Sequence, residues 1–283
     1  MSPLRISAIS YLNTAPLMWD FERGDTAAPL AEHFEIGYTV PSSCAEALRA
    51  GTADIGIIPA FAYATIPGLI ILPDVAIAAR GPVRSILLLS KVPKQEIRSV
   101  SLDTSSRSSA ALTQVLLRRW GVTGVKFVQA DPDLPTMLAQ ADAALLIGDI
   151  ALQASHEDYF VYDLAEEWMK LTGKPFVFAF WTVRMGALDQ AGDAKLDLGA
   201  IFRDSRDHGL APESVSTIAR EWAPRLGISE AVIHTYLTEN IHYQLDADCR
   251  AGLELFYAEA AEIGLLPEVP SVRMLVGPSD FCG

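Results

Sequence analysis

Short apolar runs of β-forming residues alternate with helical stretches of about ten residues, and they do so twice along the chain. Arg5–Ile9, Phe34–Tyr38 and Ala53–Pro59 read as strands. Between them, Tyr11-Leu-Asn-Thr-Ala-Pro-Leu17 reads as a turn entering a helix that ends near Gly24, and Pro41–Leu48 as a second helix. A βαβαβ series favours a largely parallel sheet covered by helices on both faces.

Leu69–Ala79 and Arg84–Ser90 are two further apolar runs, separated by Arg80-Gly-Pro-Val83, and a second series follows them. Strands Ser99–Leu102, Val125–Val128 and Ala143–Ile147 alternate with helices predicted from Ser106 to Trp120, from Leu134 to Gln140 and onward from Asp149. Phe176–Val183 is a last strand, rich in aromatic and β-branched residues. Beyond it only helices are predicted, over Leu188–His208, Pro212–Leu226, Ser229–Leu245 and Arg250–Ile263. The pattern implies two lobes: residues 1–83 with 184–283 form a discontinuous first lobe backed by the helical tail, and 84–183 form an inserted second lobe. The length of 283 residues fits, since domains average roughly 100–200 residues. Ligands of open α/β sheets lie beyond the carboxyl ends of the strands, so the cleft between the lobes is the expected site.

Composition removes several function classes. With 22 Lys and Arg against 35 Asp and Glu, the net charge is −13 and no basic cluster offers a footprint for nucleic acid. No apolar stretch reaches the roughly 18 residues of a membrane span, and Met1–Ile9 lacks the pattern of a secretion signal, so a cytoplasmic protein is expected. Cys44, Cys249 and Cys282 are far apart and read as reduced thiols rather than a disulfide framework or zinc site. Dinucleotide, Walker, serine-hydrolase and zinc-hydrolase motifs are missing. The five histidines are scattered, so no metal and no cofactor are expected.

Small polar residues concentrate at strand ends and helix starts. Asn13 follows the first strand, Ser42 and Ser43 open the second helix, Ser85 begins the strand after the first crossing, and Thr104, Ser105 and Ser106 precede the long helix. Backbone N–H groups at helix N-termini and nearby hydroxyls suit a carboxylate ligand. Some of these positions have a plainer use. Ser43-Cys-Ala-Glu46 has capping-box spacing, and Asp103 or Thr104 would serve as a simple cap. The hydroxyl-rich run Thr104–Ser109 exceeds what one cap requires. Gly148 and Asp149, after an apolar strand, either line the cleft or cap the next helix. Tyr11, Phe178 and Trp181 are aromatic side chains that either frame a ligand ring or belong to the core.

Three segments together resemble the chorismate dehydratases of the futalosine route to menaquinone: Ser10-Tyr-Leu-Asn-Thr-Ala-Pro-Leu17, Pro41–Leu48 with Ala53–Pro59, and Ser101–Ser109. The resemblance extends through Asp142–Asp149, Tyr162–Trp168, Gly173–Trp181 and the tail. It implies a periplasmic-binding-protein-like α/β fold of type II. It also implies a hydro-lyase that converts chorismate, a small dicarboxylate, to 3-[(1-carboxyvinyl)oxy]benzoate and water. The family's asparagine and serine fall on Asn13 and Ser85, which become the expected catalytic pair. Tyr11, Ser42, Ser43, Thr104, Ser105, Ser106, Gly148 and Asp149 become the expected substrate contacts. Because Asn and Ser are poor bases, the expected elimination is substrate-assisted, with Asp149 in reserve as acid or base. Two other readings stay open: a non-catalytic binder of carboxylate solutes, and the sister enzyme acting on cyclic dehypoxanthine futalosine, whose usual opening run is absent here. The oligomeric state is left open.

Overall fold

The computed structural model describes residues 2–193 and 195–275. Among them the strands are β1 (Leu4–Ile9), β2 (Phe34–Thr39), β3 (Ile55–Pro59), β4 (Leu69–Ala79), β5 (Ile86–Ser90), β6 (Ser99–Asp103), β7 (Lys126–Ala130), β8 (Ala143–Ile147), β9 (Phe160–Asp163) and β10 (Phe176–Arg184). They form two five-stranded sheets, ordered β2-β1-β3-β10-β4 and β7-β6-β8-β5-β9. In the first sheet β1 runs parallel to β2 and β3, and β10 is antiparallel to both its neighbours. The second sheet repeats this arrangement, with β5 as its antiparallel strand. In each sheet the reversed strand is the one that follows a crossing from the other lobe.

That topology moves one expected boundary. The range 84–183 placed Phe176–Val183 in the inserted lobe, whereas β10 lies in the first sheet, where it supplies the backbone partners of both β3 and β4. The return crossing therefore precedes Phe176.

β3 and β5 are buried along their whole length, as strands covered on both faces must be. The period of two is visible in β5, where Ile86 and Leu88 join the large core cluster while Leu87 and Leu89 join a smaller one with Met137, Leu138 and Leu146. Helix Pro41–Ala50 starts with proline at its first position, where no N–H is needed, and ends at Gly51 in the left-handed region at φ 72°.

The tail departs from expectation in two places. Leu188–His208 is two helices, Met185–Asp193 and Leu198–Gly209, the second capped by the Asp197 side chain accepting from the Ala200 N–H at 2.9 Å. The helix expected to run to Leu245 ends much earlier. Glu230–Thr235 gives way to a π-helical turn over Tyr236–Asn240, after which His242 exchanges backbone hydrogen bonds with Ala78 of β4 at 2.8 and 2.9 Å. A backbone engaged with a strand cannot also complete a helix. The last helix, Ala247–Glu262, reaches beyond the first lobe: Arg119 donates to Glu259 at 2.6 Å from the helix Arg107–Arg119 of the second.

Cys44 and Cys249 are buried free thiols, pushed by burial up to about 11 and about 12. Cys282 lies outside the described residues. Among those residues, no helix is long and apolar enough to cross a membrane.

The end of helix Leu198–Gly209 supports the turn that carries Asn13, because Gly209 lies against the Pro16 backbone and a Cβ there would collide with the Pro16 carbonyl. Gly209→Ala is expected to cost about 1–3 kcal/mol in urea unfolding. An unchanged midpoint would show that this contact does not constrain the turn.

Candidate functional site

β1 ends at Ile9, and the chain turns through Leu12–Met18, a 3-10 helix that presents Asn13 at the carboxyl end of the sheet. From the other lobe, β5 begins just after Ser85. Arg84 ahead of it holds φ +64°, a conformation that non-glycine residues seldom adopt. Asp163 fixes this entry. Its carboxylate accepts the Arg84 N–H at 2.6 Å and also caps helix Leu164–Thr172 through the Ala165 and Glu166 N–H groups at 3.1 Å.

These elements border a small, partly open cavity of about 40 Å3. Tyr11 and Asn13 line it from the first lobe and Ser85, Ser106, Ser109 and Gly148 from the second, with Phe178 on β10. The lining contains no carboxylate, histidine or basic side chain. Tyr11 is its one ionisable group, and burial raises that hydroxyl above its ordinary range, so it is protonated at neutral pH.

Several contacts tie the lobes together over this cavity. The Tyr11 hydroxyl donates to Ser105 Oγ at 3.3 Å, the Ser42 N–H to the Ser105 carbonyl at 3.1 Å, and Arg107 pairs with Glu46 at 2.6 Å. The Leu12 N–H reaches both carboxylate oxygens of Asp149, at 3.1 and 3.3 Å. Gly148 has φ +62° and backs directly onto the Tyr11 ring, where a Cβ would come within 2.8 Å of ring carbons. Glycine is required there on both counts.

The expected contacts thus divide. Tyr11, Asn13, Ser85, Ser106 and Gly148 share the cavity; Ser42, Ser105 and Asp149 bridge the lobes at its rim; Ser43 and Thr104 are exposed and do not line it. The capping-box reading of Ser43 and Glu46 is overturned, because Pro41 starts the helix, Val40 is its N-cap and Glu46 turns instead to Arg49 and Arg107. Most of the hydroxyl run is engaged within the protein. Ser106 caps its helix and donates to Ser109 Oγ at 2.9 Å, Ser105 donates to Asp103, and Ser108 links the Phe61 N–H to the Phe178 carbonyl. Trp181 is core, packed on Phe202.

Two tyrosines of the tail were not singled out from sequence. The fully buried Tyr236 donates its hydroxyl to Ser85 Oγ at 2.9 Å, and Tyr243 donates to the Asn13 carbonyl at 3.0 Å. Burial holds both phenols well above their ordinary range. No sequence signal marks them, since Ser229–Leu245 reads as one continuous helix.

Two other features lie apart from this chemistry. A cavity of about 290 Å3 that Tyr11 also borders is lined by neither Asn13 nor Ser85, and its Arg23 is held by Glu221. His242, Asp246 and Cys249 stand within 4.8 Å of one another, but Arg80 already pairs with Asp246 at 2.6 Å.

The family model described as menaquinone biosynthesis matches residues 4–262. The chain belongs to the menaquinone biosynthesis family. Within reach of this menaquinone biosynthesis protein is a Thermus thermophilus protein named chorismate dehydratase, 29% identical over 285 residues, which span 94% of this chain and 98% of that one. Among solved structures, a protein from Archaeoglobus fulgidus aligns with TM-score 0.66 at 15% identity, covering 93% of this chain and 98% of the other. The periplasmic aliphatic sulphonate binding protein of Escherichia coli aligns with TM-score 0.65 at 17% identity, covering 96% of each. The fold is periplasmic-binding-protein-like, as the family resemblance implied.

Asp149 offers a pH test of lobe contact. Burial raises its carboxyl to about 6, outweighing the Leu12 N–H that favours the charged form. A raised folded pKa gives stability that is full below the unfolded value near 4 and is lost as pH rises through about 6. Wild type is therefore expected to lose about 2 kcal/mol relative to Asp149→Asn between pH 4 and 7. Parallel urea-unfolding profiles for the two proteins across that range would refute the assignment.

Proposed function

We propose that this menaquinone biosynthesis protein is a chorismate dehydratase, a hydro-lyase releasing 3-[(1-carboxyvinyl)oxy]benzoate and water by substrate-assisted elimination. The observation that carries the reading is the meeting of Asn13 and Ser85, from different lobes, in one cavity whose lining offers no general base. The name borne by the Thermus relative supports it.

Chorismate is one lost water away from an aromatic ring, so the enzyme must mainly orient groups that react readily. The enolpyruvyl carboxylate, folded over the ring, takes the C3 proton; the C3–H electrons form the new C3–C4 double bond as the C4–O bond breaks. The departing hydroxide leaves as water with that proton. Asn13 fixes the pose of the side chain, and Ser85 donates a hydrogen bond to the leaving oxygen, where negative charge develops. Ser109, whose hydroxyl accepts from Ser106 and keeps its own proton, and the N-terminus of helix Arg107–Arg119 meet a carboxylate with neutral donors rather than a cation. The elimination is redox-neutral and needs no co-reactant beyond the substrate.

The test is incubation of purified protein with chorismate, followed by chromatography with mass detection. Loss of one water with growth of an aromatic spectrum is expected, and Asn13→Ala and Ser85→Ala should each lower kcat by about 10²–10³. Chorismate recovered intact from folded protein would overturn the reading in favour of a solute binder or the sister enzyme. Full kcat in both variants would overturn the residue roles.

A further inference from the structure

Ser85 is 1% exposed, yet it lines the cavity. A serine hydroxyl carries one proton and two acceptor sites, so what it offers a ligand depends on what it already accepts. Here its oxygen accepts from the Tyr236 hydroxyl at 2.9 Å. The phenol proton is thereby spent on Ser85, and the Tyr243 hydroxyl, from the same segment, is spent on the Asn13 carbonyl at 3.0 Å. The order of donation is then Tyr236 to Ser85, and the Ser85 proton is the one left to face the cavity.

The backbone serves the same arrangement. Tyr236 opens a π-helical turn, a form found mostly as short insertions and often at functional sites. The chain leaves that turn through Ile241 to Tyr243, whose hydroxyl holds the Asn13 carbonyl at 3.0 Å. A regular helix continued to Leu245 would take Tyr243 out of this extended segment, which is fixed by the His242 bonds to Ala78. One short segment thus buttresses both members of the proposed catalytic pair.

We infer that Tyr236 is the positioning residue of the dehydration, fixing the Ser85 hydroxyl as a hydrogen-bond donor to the leaving C4 oxygen. The inference rests on the proposed chorismate reaction. Tyr236 transfers no proton itself: the proton of the released water comes from C3, and the phenol acts by orienting Ser85 and polarising its O–H through a chain of like-directed hydrogen bonds. It is therefore a residue whose removal is felt in kcat, where charge develops, more than in KM.

The experiment is a double-mutant cycle on chorismate turnover with wild type, Tyr236→Phe, Ser85→Ala and the double variant. Phenylalanine keeps the buried ring and removes only the hydroxyl, and thermal melting of each variant checks the fold. Wild-type turnover is read first, since its absence overturns the proposed reaction itself. Given turnover, Tyr236→Phe should lower kcat about tenfold, with KM and the dissociation constant of the aromatic product each within about twofold. In the Ser85→Ala background the same substitution should change kcat less than about twofold, because the group it orients is gone. An equal tenfold loss in both backgrounds, a rise in KM or product dissociation constant with kcat unchanged, or full activity of Tyr236→Phe would each overturn the role of Tyr236 while leaving the reaction standing.

Discussion

The backbone hydrogen bonding of β10 between β3 and β4 is the constraint on which the rest of this molecule depends. Both neighbours pair with β10 along its length, so the first sheet is complete only when the chain has returned from the second lobe. β5 has the same place in the second sheet, between β8 and β9. The first sheet cannot satisfy its interior backbone groups from a continuous stretch of chain, whereas the second draws all five of its strands from residues 86–163, and unpaired buried N–H and C=O groups are costly. The two lobes are thereby linked at the crossings, and residues immediately beside those crossings, Ser85 above all, face the space between them.

That space is uncharged and mostly apolar, with a few neutral polar groups set into it. Its lining offers hydroxyls, an amide, backbone groups and aromatic carbon, while the nearest carboxylates are used as structural acceptors: Asp163 for the Arg84 N–H, Asp149 for the Leu12 N–H, Asp103 for Ser105. A site of neutral donors suits a substrate that brings its own negative charges and its own base. Fixed dipoles in a buried site stabilise charge without reorganising, and each donor there counts for more than it would in water. Such a site also makes the direction of every hydroxyl proton matter, which gives the deeply buried Tyr236 its significance.

Much of the fold was legible because strand and helix periods are local. The runs at 69–79, 134–140, 143–147 and 212–226 appear as elements with the expected limits. Errors arose where tertiary bonds outcompeted local pattern. The Tyr236–Leu245 segment has helical composition, but its backbone is claimed by β4; β9 is a four-residue edge strand with no alternating signal to announce it. The short strand-to-helix turns marked Asn13, Ser106 and Gly148 as cleft residues. The same reasoning also put forward Ser43 and Thr104, since composition at a helix start does not say which way a side chain points. Most of the Thr104–Ser109 hydroxyls found partners within the protein, a use that needs the positions of Phe61, Phe178 and Tyr11, all distant in sequence.

The sequence by itself determined the two alternating series, the two-lobed α/β architecture and the family, and it put forward Asn13 and Ser85 as candidates, because hydrophobic period, turn chemistry and short motifs are written in neighbouring positions. Tertiary structure alone decided that Phe176–Arg184 returns to the first sheet, that Asp149 and Asp163 hold backbone N–H groups, and that Tyr236 and Tyr243 stand behind Ser85 and Asn13. Those facts concern which groups meet across more than a hundred residues of chain, as Tyr236 meets Ser85 over a separation of 151. Such meetings are set by the packing of whole elements and the need of each buried polar group for a partner.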